Sequence, residues 1–140
     1  MERHTIVLGY APTASGRLAL DRAIQEAKLR DSRLLVVLSM WGGHKTAFDE
    51  VAQARRAFDE AEERPKPEGV TYEVRELVRG TTPAQDLADL AAEEKADLLV
   101  IGYRHRSKSG KYFLGSDAQD ILLAAPCPVL AVRPPEGEED

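Results

Sequence analysis

The sequence predicts a single α/β domain built on a doubly wound, five-stranded parallel sheet with helices on both faces. Apolar runs of strand length alternate along the chain with segments whose apolar residues recur every three or four positions. Two of the runs, 34–38 and 98–101, are apolar without a break, which is typical of strands covered on both faces of a parallel sheet. The length of 140 residues suits one domain. Right-handed crossovers between five such strands permit the strand order 3-2-1-4-5.

The first half of the chain contains two predicted strand–helix pairs. Residues 4–9 are expected to form a buried strand, and a turn follows it. Thr13 is a suitable N-cap for a helix that continues to about Arg30. A second strand is predicted from Arg33 to Met40, and the three- and four-residue apolar spacing after it predicts a helix from Lys45 to Glu63.

The third and fourth strands are predicted on either side of another helix. Residues 70–78 alternate between apolar and polar side chains, which indicates a less buried strand at an edge of the sheet. Thr82 as N-cap, with proline at the first helical position, predicts a helix to about Lys95. The apolar run that follows is the predicted fourth strand, and it ends in Gly102.

The C-terminal part of the chain is expected to add a last helix and a last strand. Ser116 can act as the N-cap of this helix, and Gln119 three residues later would complete a capping box. The run at 126–132 then predicts the fifth strand. The predicted domain spans residues 1–134, and the acidic, apolar-poor tail at 135–140 is expected to be disordered.

A ligand site is predicted where the chain reverses direction across the sheet, between strands one and four. Two loops meet at this point, Gly9–Thr13 and Gly102–Ser116. Residues 103–114 hold four of the chain's 19 lysine and arginine residues and none of its 24 acidic residues. Cations and free backbone N–H groups at the start of a helix both attract anions. The sequence therefore predicts an anion site between these two loops.

The same region carries a spaced glycine motif. It reads Gly102-x-x-His105-x9-Gly115-Ser116, and Ala-Pro-Cys-Pro-Val-Leu-Ala-Val follows at 125–132. This pattern resembles the C-terminal signature of the universal stress protein family. The resemblance covers nearly the whole chain and implies an adenine nucleotide alpha hydrolase-like fold. It departs at His105, where nucleotide-binding members have a second glycine, and at Ala11, where they have an aspartate.

The resemblance implies a role in stress response or regulation, with binding of an adenine nucleotide (ATP or AMP) or another phosphorylated small ligand. It also implies a cytoplasmic homodimer that pairs through the last strand, at Val129, Leu130, Ala131 and Val132. The nucleotide-binding residues predicted on these grounds are Gly9, Tyr10, Ala11, Thr13, Ser39, Ile101, Gly102, Arg104, His105, Gly115, Ser116 and Asp117.

Two other functions stay open from the sequence. The departures at Ala11 and His105 favour a nucleotide-free, dimeric interaction module of the same fold. The other alternative is a weak ATP hydrolase. Nothing in the sequence resembles an acid–base pair aimed at a substrate, so we expect that the protein is not an enzyme.

Composition and charge argue against several further classes. The formal net charge of −5 disfavours general nucleic-acid binding. No apolar run approaches the ~20 residues of a membrane span, so we expect no membrane association. The single cysteine, Cys127, fits a reducing cytoplasm, and its place at the start of a strand predicts a structural role. His4 and His44 are isolated, and no residue spacing predicts a metal site.

Overall fold

The structure, a computed structural model, describes residues 4–11, 13–39, 56, 59–63, 69–77, 82–103 and 115–135. Five strands are present in these segments: β1 (Thr5–Tyr10), β2 (Arg33–Ser39), β3 (Tyr72–Leu77), β4 (Leu98–Gly102) and β5 (Val129–Val132). The helices are α1 (Ala14–Arg30), α2 (Pro83–Glu93) and α3 (Ser116–Ala124). Residues 56 and 59–63 are also helical, and the rest of the helix predicted at 45–63 lies outside the described residues.

The strands form one sheet in the order β3-β2-β1-β4-β5, and every neighbouring pair is parallel. Val7 at the centre of β1 is in register with Leu35 of β2 on one side and with Leu99 of β4 on the other. This confirms the predicted fold class and strand order. The chain therefore does reverse direction between β1 and β4, at the place where the sequence predicted a ligand site.

Both faces of the central strands are buried, which explains why their sequences are apolar without alternation. Ile6, Leu8 and Val36 pack with α1 in a first apolar layer. Val7, Leu35 and Leu99 point to the opposite face and pack with α2 and α3 in a second layer. Burying a large aliphatic side chain of this kind contributes roughly 1.5–3 kcal/mol to stability. The two layers hold the carboxyl ends of β1 and β4 in fixed positions.

Strand β3 lies at an edge of the sheet, as its alternating sequence predicted. Tyr72 and Val74 pack against the first apolar layer, whereas Glu73 and Arg75 alternate with them on the other face. Arg75 pairs with Glu73, and its Nη2 lies 3.2 Å from Oε1 of Glu94. The hydrogen bond with Glu73 raises the pKa of Arg75 above its usual value. A charged network thus covers this part of the sheet.

Two helix starts agree with the predicted caps. The Thr13 hydroxyl accepts a hydrogen bond from the backbone N–H of Gly16 at 3.0 Å. The Thr82 hydroxyl accepts from the backbone N–H of Gln85 at 3.2 Å. The side-chain amide of Gln85 donates a hydrogen bond to the carboxylate of Asp89, one turn later in α2, at 2.8 Å.

The cap predicted for the last helix was wrong by one residue. Gly115 is the N-cap, with an extended ψ of 149°, and Ser116 is already the first helical residue. The carbonyl oxygen of Gly115 accepts from the N–H of Gln119 at 3.0 Å and so begins the helical ladder. The capping box predicted between Ser116 and Gln119 therefore does not form, because a capping side chain must come from the residue before the helix.

Candidate functional site

A pocket of about 80 Å³ opens at the carboxyl ends of β1 and β4, where the topology predicts a ligand crevice. Six of the predicted nucleotide-binding residues line it, namely Gly9, Tyr10, Ala11, Thr13, Ile101 and Gly102. The sequence-based reasoning missed five further lining residues, which are Ser15, Gly16, Leu87, Ala118 and Ile121. The small pair Ser15-Gly16, which begins two residues after the threonine cap Thr13, was the available signal for two of them.

The pocket has an apolar floor and a polar rim. The floor consists of three buried apolar side chains, which are Leu87 of α2, Ile101 of β4 and Ile121 of α3. The hydroxyl groups of Thr13 and Ser15 lie 3.3 Å apart at the start of α1. Small-molecule sites usually measure roughly 300–1,000 Å³, so this pocket has room for one part of a nucleotide-sized ligand.

Two glycines allow the first turn of α1 to lie close to the ends of β4 and β1. A Cβ atom on Gly102 would overlap the carbonyl group of Ser15 and would lie 2.9 Å from the backbone nitrogen of Gly16. A Cβ atom on Gly16 would overlap the carbonyl group of Ala11. Gly102 is among the predicted nucleotide-binding residues, a role in which glycine would let the backbone approach a ligand. In this structure the space beside Gly102 is filled by α1, so close packing of helix on strand is what requires glycine there.

Gly115 differs from these two glycines. Among the described residues, no atom lies within 4 Å of the position that a Cβ on Gly115 would occupy. Its φ of −57° is also accessible to every residue type, so neither described packing nor backbone conformation requires glycine here. The start of α3 therefore combines backbone N–H groups with a side of Gly115 that no atom of the described residues approaches.

The other predicted site residues divide into two groups. Ser39 is the last residue of β2, and Ser116 and Asp117 are the first residues of α3, so their backbones lie at the same carboxyl edge as the pocket. Arg104 and His105 lie outside the described residues. Convergence of the basic loop on the pocket therefore stays a prediction.

Tyr10 stands between this pocket and a second cavity. Its side chain is only 4% exposed, and its hydroxyl donates to a carboxylate oxygen of Glu60 at 2.7 Å. The second cavity, of about 400 Å³, is lined by Tyr10, Arg17, Asp59, Glu60 and Glu63. Three carboxylates oppose binding of an anion, so the cavity beside Glu60 is the poorer place for a phosphate.

Cys127 has the features of a structural thiol rather than a nucleophile. It is half-buried and packs against the second apolar layer. Burial raises the pKa of the Cys127 thiol, and the negative charge of Asp97 adds to this effect. The reactive thiolate is therefore scarce at neutral pH. Within the described segments, no group of three or more His, Cys, Asp or Glu side chains is arranged to hold a metal ion.

The helices of the described segments are α1, α2 and α3, with further helical residues at 56 and 59–63. None of those helices is both long enough and apolar enough to cross a bilayer.

The whole chain was compared with known protein families. The sequence model of the universal stress protein family matches residues 2–133. The chain belongs to the universal stress protein family. This confirms the resemblance seen in the spaced glycine motif and in the last strand.

Three relatives in the universal stress protein family match over almost their full length. A universal stress protein of Mycolicibacterium smegmatis is 41% identical over 133 residues, which is 92% of this chain and 97% of that protein. The solved structure of a universal stress protein from Archaeoglobus fulgidus has a TM-score of 0.82 at 33% identity and covers 94% of this chain and 99% of its own. A second structure from that organism, in complex with dAMP, has a TM-score of 0.73 at 30% identity, with coverage of 94% and 98%.

Proposed function

We propose that this universal stress protein binds an adenine nucleotide, ATP or AMP, or a similarly phosphorylated small ligand, and that it acts in the cytoplasm in stress response. The observation that carries the proposal is the pocket between the ends of β1 and β4, because six residues predicted from sequence line it. The dAMP complex of the Archaeoglobus fulgidus relative supports adenine as the base.

The chemistry of the pocket supports a division of the ligand into two parts. Leu87, Ile101 and Ile121 offer an apolar floor, which suits the flat face of a base. The start of α3, one turn before the lining residue Ala118, offers backbone N–H groups, which suit a phosphate, and no atom of the described residues lies within 4 Å of a Cβ position on Gly115. The basic residues predicted at 103–114 would add charge-assisted hydrogen bonds to that phosphate.

A second candidate function is a nucleotide-free interaction module. It is favoured by Ala11, which lines the pocket and offers no side-chain acceptor to a ligand. The pocket volume of about 80 Å³ points in the same direction. Under this alternative the fold would serve as a scaffold for protein contacts, and the small residues around the pocket would serve only to pack α1 on β4.

Calorimetry with a matched pair of variants on α3 separates these functions. Ala118→Leu puts a larger side chain into the pocket, whereas Leu123→Ala removes one that is 87% exposed on the same helix. We expect the native protein and Leu123→Ala to bind ATP or AMP, and Ala118→Leu to bind at least tenfold more weakly. ATP turnover should stay at the buffer rate throughout. Absence of heat with ATP, AMP and phosphate in the folded native protein would favour the interaction module.

We also propose that two copies of the chain pair through β5. On the described part of the sheet, β4 is the only neighbour of β5, so its outer edge is open. An apolar edge left open invites uncontrolled pairing with other chains, and a closed dimer avoids it.

A further inference from the structure

Two segments of the chain leave the sheet side by side at its carboxyl edge, next to the pocket. Strands β4 and β5 are parallel neighbours, and Gly102 at the end of β4 is in register with Val132 at the end of β5. The backbone N–H of Tyr103 then donates to the carbonyl oxygen of Val132 at 2.9 Å. The chain beyond β5 therefore begins beside Gly102, which lines the pocket.

The start of α3 lies at the same edge. Helix α3 connects two parallel strands, so it must run back from the end of β4 to the start of β5. Its residues Ala118 and Ile121 line the pocket. Neighbouring strands are roughly 4.8 Å apart, so the chain beyond β5 is one such step from the end of β4. The predicted anion site at the start of α3 is thus within short reach of the C-terminal segment.

The chain beyond β5 remains on the protein for a further two residues. Pro134 is buried, although it follows the last residue of the strand by two positions. Residues 136–140 come after Pro135 and span at most about 17 Å when fully extended. The distance across two strands, from β5 past β4 to β1, is roughly 10 Å. Residues 136–140, which we call the acidic tail, can therefore reach both strands that bound the pocket.

The charge of the acidic tail matches the charge of the segment after β4. The tail holds four carboxylates and no lysine or arginine, whereas residues 103–114 hold four lysine and arginine residues and no carboxylate. Opposite charges in water attract one another over about 10 Å at an ionic strength of 0.1 M. The second cavity does not suit the tail, because three of its lining residues are carboxylates. Charge thus directs the tail to the predicted anion site.

From this placement we propose that the acidic tail occupies the predicted anion site and competes there with the phosphate of a nucleotide. The competition rests on the proposed nucleotide function and adds regulation to it. Carboxylate and phosphate oxygens accept charge-assisted hydrogen bonds from the same donors, which are N–H groups and cations. A short tether keeps the tail near the site at an effective concentration on the order of millimolar. The apparent affinity for a nucleotide then falls with the fraction of sites that the tail leaves free.

A spin label at the end of the tail tests the contact without any nucleotide. The label is attached to Asp140→Cys in a Cys127→Ala background, whose circular dichroism is compared with that of the native protein. Broadening of amide NMR signals then reports which residues lie near the label. We expect strong broadening at Tyr103 and Gly115 and little at Arg75 on the opposite edge strand, β3.

A matched variant separates charge from tethering, because the tether alone brings the label near β5. It carries the same label together with Glu136→Gln, Glu138→Gln and Glu139→Gln, so it keeps the length of the tail and removes its remaining carboxylates. We expect broadening at Gly115 to fall at least twofold in this variant. In 1 M NaCl, where charges are screened beyond about 3 Å, the two chains should become alike. Equal broadening at low salt would overturn the proposal.

Calorimetry with AMP at low salt tests the competition. Glu138→Gln with Glu139→Gln should bind AMP at least twofold more tightly than the native chain. Asp89→Asn with Glu93→Gln changes the net charge equally on the exposed side of α2 and should bind as the native chain does. Equal affinities in all three proteins would overturn the competition. If no variant binds AMP and the charge-dependent broadening is present, the nucleotide function fails and the contact of the tail is supported.

Discussion

Gly102 and Gly115 flank the same loop, but their missing side chains have different consequences. Gly102 faces the backbone of Ser15 and Gly16, which cannot move without displacing the first turn of α1. Gly115 has no described atom near its absent Cβ. The spaced glycine motif therefore contains one glycine that packing requires and one that no packing among the described residues requires.

This contrast predicts opposite effects on stability. Gly102→Ala should lower the free energy of unfolding by about 1–3 kcal/mol, because the added methyl overlaps fixed backbone. Gly115→Ser should leave it unchanged or raise it slightly, since serine is a good N-cap. Urea denaturation of both variants measures the difference. Equal losses of stability would show that packing requires Gly115 as well.

Cys127 allows a prediction about pH. Burial and the charge of Asp97 raise the pKa of the thiol, so the unfolded chain ionises at lower pH than the folded one. The neutral thiol therefore makes its full contribution to the stability of the folded state below the usual thiol pKa. This contribution is lost as the pH rises from the usual pKa through the raised pKa of the folded chain. Alkylation by iodoacetamide at pH 8.5 should be slower than for a free cysteine, and Asp97→Asn should accelerate it modestly. A rate equal to that of the unfolded chain would contradict this assignment.

At the scale of elements, α1 and α2 begin with the same kind of cap in different surroundings. Thr13 lines the pocket, and Thr82 is exposed at the start of α2. Thr13→Ala and Thr82→Ala should each cost about 1 kcal/mol of stability, because each leaves a helix N–H without its acceptor. Only Thr13→Ala should also weaken nucleotide binding in calorimetry. If both variants bind the nucleotide equally well, the cap of α1 takes no part in ligand binding.

For the whole molecule, the sequence was sufficient to predict a parallel sheet, because uninterrupted apolar runs such as Leu98–Ile101 identify strands with two buried faces. Right-handed crossovers permitted the strand order 3-2-1-4-5, and the structure has that order. The position of the pocket followed from that order. The residues of the pocket floor could not be predicted from that order, because Leu87 and Ile121 reach the pocket only through the packing of α2 and α3. The packing role of Gly102 was equally hidden, since the spacing of a motif does not reveal which backbone lies beside a glycine.

The central claim is that a nucleotide binds between the ends of β1 and β4. Amide chemical-shift mapping by NMR during titration with AMP tests it most directly, because it locates binding without requiring turnover. We expect the largest shifts at Gly9, Ala11, Gly102 and Gly115, with little change at Arg75 on the distant edge strand. Shifts concentrated around Arg17 and Glu60, or no shifts at millimolar AMP, would contradict the claim.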